Sequence, residues 1–363
     1  MPRSRFGSIQ RLDSDHYRVF WTDRGKRKSA RIRGTREEAE AYLAAQQLSR
    51  GGMSDMAWGM YWKAAVSPTF DGLAAKTISG YERVWRAELE PRISHAMVGK
   101  TTWRQVEAVL GEIRAPSVQR QAKALWKKMC NLAVRDGLLD RNPVDASIRT
   151  RPQNKRAKTL LMADEVAPWL EAIRGQKYEP LFLMEVGGGL RHEEACAMVR
   201  ENVSELEVMG TRYALLKIER GLVTVGHTAV LKGTKNEHSV REAVIGAPFA
   251  DRLLELCEGS GPVCPGSAPV RGEYAAENFA APNIVTQNFR RWCAANDVPY
   301  VRPGDMRSVF ATLHGEAGTP DSLVSMSMGH ADGGSTKTRH YQQRTRKALI
   351  VVADSLTDYL LGE

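Results

Sequence analysis

The chain lacks a long apolar run. No stretch approaches about 18 uninterrupted apolar residues, so a helical membrane protein is not expected. Met1 to Arg36 is polar and basic and offers no apolar segment of a secretory signal. Cysteine is scarce and unpatterned. The five residues (Cys130, Cys196, Cys257, Cys264, Cys293) are odd in number and form no C-x-x-C. This excludes a disulfide framework and a cysteine-based zinc site, and fits a reducing cytoplasm. No HExxH, EF-hand or Walker sequence is present, and no metal or other cofactor is expected. The triple glycine Gly187-Gly188-Gly189 lacks the GxGxxG order and follows a predicted helix, so it is not read as a phosphate cradle. Serine, cysteine and carboxylate nucleophiles have no recognisable flanking motif, and the chain shows no internal repeat or low-complexity tract.

What the chain does have is length and positive charge. Its 363 residues suggest two or three domains at about 150 residues each. Hydrophobic residues at 42% and charged residues at 26% are those of an ordinary globular protein, which argues against disorder as the main state. Lys and Arg number 52 against 42 Asp and Glu, a net +10 that suits a polyanionic partner. Met1 to Gly52 carries twelve basic and six acidic residues, so +6 of the excess sits in the first seventh of the chain. A second cluster, Arg149, Arg151, Lys155, Arg156 and Lys158 around Pro152, reads as an exposed linker. It fits a solvated hinge and a strap along a duplex equally well.

Periodicity divides the chain further. Gly7 to Arg11, Tyr17 to Thr22 and Lys28 to Ile32 are short β-type segments separated by turn clusters, and Thr35 with Glu38 forms a capping box before a helix over Arg36–Leu48. Such a unit leaves one sheet face open to meet DNA. From Ser54 to about Asp145 the pattern is helical, with segments Met56–Ala65, Ala74–Glu88, Thr102–Ile113 and Val118–Arg135. Its aromatics (Trp58, Tyr61, Trp62, Tyr81, Trp85, Trp103, Trp126) fall at helical spacing and are read as core rather than base-stacking platforms. Asp136-Gly137 ends the last helix and Asn142-Pro143 the domain. Leu160 to Glu363 mixes helices with a short β region. Its helices are predicted over Asp164–Ile173, Pro180–Val186, Asn283–Asn296, Met306–Glu316, Asp321–Met328 and Lys347–Leu361, and its strands over Tyr213–Ile218, His227–Leu231 and Val240–Ile245. The fold class is α+β multidomain. The expected units are 1–52 (three strands and a helix, DNA-binding), 54–148 (all-α), 149–158 (basic linker) and 159–363 (mainly α with a small β-sheet).

The last third holds a set of residues suited to one chemistry. Arg191 lies in GGLRHEEA, Lys235 in LKGTKNEHSVREAVI, Arg307 in RPGDMRSVFATLHGEAG, His330 in SMGHAD and Tyr341 in STKTRHYQQ. Singly each is ordinary. Together they supply what transesterification at a phosphodiester needs. Two arginines can clamp the non-bridging oxygens, and a lysine can protonate the leaving 5′ oxygen. A histidine can hydrogen-bond the phosphate or shuttle a proton, and a tyrosine can attack and hold the phosphate as an ester. No metal is required, since the arginines take its electrostatic role.

In order and spacing these segments resemble the tyrosine recombinase (phage integrase) family, over nearly the whole chain. The first 50 residues resemble the arm-type DNA-binding domain of lambda-type integrases. AVRDGLLDRNPVD is similar to the end of the family's core-binding domain. GGGLRHEEACAM resembles the first arginine box with Glu194 three residues after Arg191, GDMRSVFATLHGEAG the second, and MGH followed by Tyr341 the third. The resemblance implies that Arg191 and Arg307 clamp the phosphate and that Lys235, with Lys232 as rival, is the general acid on a β-hairpin. It makes His330 the third-box histidine, Tyr341 the nucleophile and Glu194 a supporting residue.

The resemblance also implies a function. It is that of a site-specific DNA recombinase, an integrase of a phage or mobile element that cuts and rejoins strands through a 3′-phosphotyrosine without ATP. The alternatives are a non-catalytic DNA-binding or architectural protein with a degenerate site, and a type IB topoisomerase-like enzyme. Expected DNA contacts are Arg18, Lys26, Arg27, Lys28, Arg31, Lys123, Lys127, Arg151, Lys155 and Arg156. Expected partners are duplex DNA at core-type and arm-type sites, a homotetramer on synapsed DNA, a host DNA-bending protein and an excision factor, with no membrane. The expected location is the bacterial cytoplasm, at the nucleoid. There are two departures. The second box reads His-x-x-Arg in the family but has Gly304 in the histidine's place here, with His238, His340 and His192 as substitutes by sequence proximity. The gap from His330 to Tyr341 is also long. The C-terminal helix, with Ile350, Val351, Leu356, Leu360 and Leu361 apolar, can dock on its own domain, but the resemblance favours docking on a neighbouring protomer.

Overall fold

Three short antiparallel strands open the chain: β1 (Gly7–Arg11), β2 (His16–Asp23) and β3 (Lys26–Arg33), in the order β1-β2-β3. The computed structural model describes residues 7–23, 26–48, 56–153, 157–225, 228–233, 240–270, 278–329 and 345–362. They fall into two units, Met1–Lys155 and Arg156–Glu363. In the first, alternation along β2 turns Tyr17, Val19 and Trp21 towards α1 (Arg36–Leu48), where they pack with Ala39 and Leu43. The capping box forms: the Glu38 N–H donates to Thr35 Oγ1 (3.2 Å) and the Thr35 N–H to Glu38 Oε2 (2.6 Å).

The same unit contains a helical bundle. It comprises α2 (Trp58–Tyr61), α3 (Ala75–Val84), α4 (Glu90–Ile93), α5 (Trp103–Glu112) and α6 (Pro116–Arg135). The expected continuous helices are interrupted. π-helical turns at Trp62–Val66 and Trp85–Leu89 follow α2 and α3, and each begins with a tryptophan. The rings of Trp62 and Trp85 stack with centroids 4.5 Å apart and planes 4° from parallel. A π turn widens the helix by one residue and re-aims the side chains around it. Trp58, Tyr61 and Trp126 are fully buried, as the spacing implies, and Tyr81 is half-buried against the same core. Trp103 is the exception: at the start of α5 it is 47% exposed, with the Arg104 guanidinium 5.1 Å from its ring centre. Lys63 Nζ donates to Glu40 Oε2 at 2.5 Å, tying the bundle to α1.

The second unit is built around α8 (Glu179–Gly188), whose ten residues are all buried. Before it lies α7 (Ala163–Ala172) and after it α9 (His192–Ala195). The β region is larger than the sequence suggests. β4 (Val203–Val208), β5 (Thr211–Ile218) and β8 (Arg241–Ile245) form one antiparallel sheet, β6 (Arg220–Val225) and β7 (Thr228–Gly233) a hairpin, and β9 (Pro265–Pro269) and β10 (Asn278–Phe279) a third pair. α10 (Ala250–Leu256), α11 (Pro282–Asn296), α12 (Met306–Glu316), α13 (Asp321–Met328) and α14 (Arg346–Leu361) complete it. β4, β6, β9, β10, α9 and α10 are additions. β4 is a sheet-edge strand whose alternation is broken at Ser204-Glu205, and β6 carries an internal glycine, so neither shows clean alternation.

The C-terminal helix takes the first of the two arrangements expected for it, on its own unit. α14 buries Leu349, Val352, Ala353 and Leu356 on its own unit, against Tyr213 of β5, Val244 of β8 and Met326 of α13 among others. Spacing of three and four residues places these four on one face, leaving Val351 and Leu361 outside it. Polar contacts fix the docking: Tyr213 donates to Asp354 (2.7 Å), Tyr359 to Glu316 (2.9 Å), and Arg346 reaches both oxygens of Glu242. Among the described residues no helix is long and apolar enough to cross a membrane.

Candidate active site

Close packing at three glycines brings the two arginine segments together. A Cβ on Gly187 would sit 2.8 Å from Ile245, and one on Gly189 2.8 Å from Phe310 of α12. Gly189 also caps α8 in the left-handed region at φ +62°, where a side chain is strained. The triple glycine therefore joins α8 to β8 and α12 and delivers Arg191 just beyond it.

Glu194 organises the first arginine segment. Its Oε1 accepts from Nη1 of Arg191 (2.8 Å) and Nη1 of Arg241 (2.9 Å). Its Oε2 accepts from the Arg191 backbone N–H (2.8 Å) and Nη2 of Arg241 (2.7 Å). Four donors meet the roughly four lone-pair sites of one carboxylate. Burial alone would raise the Glu194 carboxyl, but the hydrogen bonds and charge of Arg241, and the bonds from Arg191, hold it down at about 2. Arg241 is the inner partner, its side chain only 1% exposed; its Nε donates to the Ser327 carbonyl (3.2 Å). Arg191 is 44% exposed.

Arg307 stands in the first turn of α12. Its Nη1 donates to the Gly189 carbonyl and its Nη2 to the Met328 carbonyl (2.8 Å), while Nη2 of Arg191 donates to the next carbonyl, that of Gly329 (3.0 Å). The two arginines thus converge on consecutive carbonyls at the end of α13. Among the described residues Arg307 donates to no carboxylate. Burial, with Arg191 and Arg241 nearby, pushes its guanidinium down to about 10, so it remains charged at neutral pH. Arg191 and Arg241 thus share the Glu194 carboxylate, while Arg307 is held by carbonyl oxygens, an arrangement that suits an anion.

Gly304 adopts φ +86°, and its N–H donates to Glu185 Oε2 (2.6 Å). The other Glu185 oxygen lies 2.9 Å from Nδ1 of His192, whose Nε2 lies 3.1 Å from the Pro282 carbonyl. Of the three histidines near the clamp in sequence, His192 is the one the described residues place beside Gly304. His238 and His340 lie outside them, as do Lys235, His330 and Tyr341. Lys232 is half-buried on β7, opposite Gly221.

The expected DNA contacts divide by register. Arg18 pairs with Arg31 and Thr22 with Arg27, all on the sheet face away from α1, where Arg27 also covers the Phe20 ring at 4.7 Å. Lys28 pairs with Trp21 and Lys26 with Asp23, so both side chains start from the opposite face. Lys123 donates to the Ile148 carbonyl, and Arg151 to those of Arg114 (2.9 Å) and Gly111 (2.8 Å), so both tie down their own unit. Lys127 is exposed, and Lys155 and Arg156 lie outside the described residues. Asp13, Asp15 and His16 also draw together at an exposed turn, already linked by the contacts of His16 to Asp13 (2.8 Å) and Asp15 (2.9 Å).

Sequence reasoning missed Arg241 and Glu185. A signal existed for Glu185: it and Glu179 are the only charged residues of the apolar run EPLFLMEVGG, and a charge inside a buried helix implies a partner. Arg241 carried none beyond its place beside the β-hairpin.

No family model matches the chain. An integrase of Mycobacterium phage FRAT1 is 24% identical over 273 residues, covering 71% of this chain and 76% of that protein. The Tn1549 transposon integrase, solved in complex with a circular intermediate DNA, superposes with a TM-score of 0.63 at 16% identity, covering 83% of this chain and all of the other. The lambda integrase dimer bound to a core site covers 95% of this chain and 99% of its own, with a TM-score of 0.53 and 16% identity. The chain is thus similar in sequence to phage integrases, and its fold is that of the Tn1549 and lambda integrases.

Proposed function

We propose that this protein is a site-specific DNA recombinase that integrates or excises a phage or mobile element. The observation that carries the reading is the charge balance around Glu194. One saturated carboxylate holds Arg191 and Arg241, while Arg307 and the exposed end of Arg191 converge on neighbouring carbonyls with charge left for an anion. A phosphodiester supplies that anion. Preorganised guanidinium donors act where negative charge builds on the non-bridging oxygens.

In this reading the Tyr341 oxygen attacks the phosphorus and forms a 3′-phosphotyrosine. The phenol proton passes to a base, for which His330 is placed by sequence. The bond to the 5′ oxygen breaks, and that oxygen takes its proton from Lys235. Attack by a 5′ hydroxyl of the partner strand reverses the step, so the bond energy is conserved. The open face of the amino-terminal sheet, with Arg18, Arg27 and Arg31, binds a second DNA site, and linkage of the two contacts raises effective concentration. The organisation proposed is 1–52, 54–148, a linker at 149–158 and 159–363, acting as a homotetramer on synapsed core-type and arm-type sites. A host bending protein and an excision factor assist it at the nucleoid.

Covalent trapping tests the reading. Wild type and Tyr341→Phe are incubated with nicked duplexes tiled across the DNA that flanks the gene. A detergent-resistant protein–DNA band with wild type alone is expected. Binding without a band for either protein overturns the enzymatic reading in favour of a DNA-binding protein with a disabled site.

A further inference from the structure

Gly304, which stands where the family's second box has a histidine, meets another histidine, His192, through a shared carboxylate. Gly304 cannot simply be exchanged back. At φ +86° a side chain is strained, and a Cβ there would lie 3.4 Å from the His192 Cβ. Glu185, fully buried, receives the Gly304 N–H on one oxygen and faces the His192 ring with the other. The second ring nitrogen of His192 faces a carbonyl oxygen, which can only accept. With an acceptor at each nitrogen, the ring is satisfied as the doubly protonated imidazolium.

We propose that the Glu185–His192 ion pair is the positioning device of the two-arginine site: one buried carboxylate fixes the Arg191 turn to the Gly304 turn that leads into Arg307, and so keeps a histidine in the corner where the second arginine segment has none. His192 follows Arg191 directly, and Gly304 stands three residues before Arg307, so a shift of this carboxylate moves both halves of the clamp. Displacing reacting groups by about 1 Å can cost about 100-fold in rate. Among the described residues, the titratable groups facing the ring are Glu185 from α8 and Glu193 and Cys196 from its own turn, with Cys196 Sγ 3.9 Å from each nitrogen; α11 contributes the Pro282 carbonyl. Burial opposes the charge, but the hydrogen bond and charge of Glu185 prevail and raise the His192 pKa above its ordinary 6.5.

This inference rests on the recombinase reading, and its test separates the two. Single-turnover cleavage of the nicked duplex is measured for wild type, Glu185→Gln, His192→Gln and Tyr341→Phe, with duplex affinity measured alongside. Glu185→Gln is expected to cleave about 100-fold more slowly with duplex affinity kept. His192→Gln keeps an N–H for Glu185 but no charge, and should recover part of the rate. The wild-type rate should fall as pH rises through the His192 titration, followed independently by imidazole NMR on the DNA-free protein, and His192→Gln should lose that limb. This wild-type coincidence serves if a variant fails to fold. A wild-type adduct with unchanged rates in both variants, or a rate insensitive to the His192 titration, overturns this inference alone. No wild-type adduct overturns the recombinase reading, and this inference with it.

Discussion

The amino-terminal sheet and the arginine site of the second unit both display positive charge, and they hold it in opposite ways. On the sheet, Arg18, Arg27 and Arg31 are exposed and owe their common direction to strand register. In the second unit Arg241 is buried, Arg307 half-buried, and each nitrogen placed above meets a named oxygen. Exposed charge on long side chains adapts to a backbone of phosphates and is screened by salt. Buried charge cannot adapt; it is placed in advance, where a developing charge will form. The first arrangement suits affinity and the second suits chemistry.

The largest effects should come from the placed charge. Arg307→Ala is expected to lower single-turnover cleavage by about 1000-fold with duplex binding retained, since it removes two donors from the proposed anion site. Retention of near-normal cleavage would place the clamp elsewhere. Glu194→Gln acts on stability as well. It leaves Arg241 buried beside a neutral amide and should cost about 3–5 kcal/mol in denaturant unfolding. The double variant Glu194→Gln with Arg241→Met should recover much of that loss, because neither charge is then stranded.

The pH dependence has a definite sign. The Glu194 pKa is about 2 in the folded chain against an ordinary 4.5, so its contribution is complete above pH 4.5 and is lost as pH falls towards 2. Glu194→Gln should flatten that part of the stability curve. An unaltered acid limb would mean that the pair forms no net interaction.

How much of this was legible in the sequence follows the same division. Register and helical periodicity are local, so the three strands, the capping box and most helix positions could be read from residue order. Arg191, Arg307 and Glu194 were found through their segments. Arg241 was not, because its partner stands 47 residues away and nothing local marks a buried ion pair. The π turns escaped because nothing in the local spacing marks them; the tryptophans that begin them stack on each other from 23 positions apart in the chain. The docking of α14 on its own unit was open because an apolar stripe states that a face is covered but not by what.

The smallest predicted difference tests whether register, rather than charge alone, selects the sheet residues that meet DNA. Lys28 and Arg31 are both exposed, basic and on β3, three residues apart, yet alternation puts them on opposite faces. If DNA lies on the open face, Arg31→Ala removes a phosphate contact. The slope of log affinity against log salt should then fall by about 1. Lys28→Ala removes the same charge from the face that carries Trp21, at a greater distance from the phosphates. Its effect should be a weak, screened loss with the slope nearly unchanged. Titrations of the full chain on a duplex containing the proposed arm-type site, at several salt concentrations, measure both. Equal slopes for the two variants would mean that the amino-terminal unit is held by diffuse charge and that the open face has no special standing. A steeper loss for Lys28 than for Arg31 would place the DNA on the helix side of the sheet.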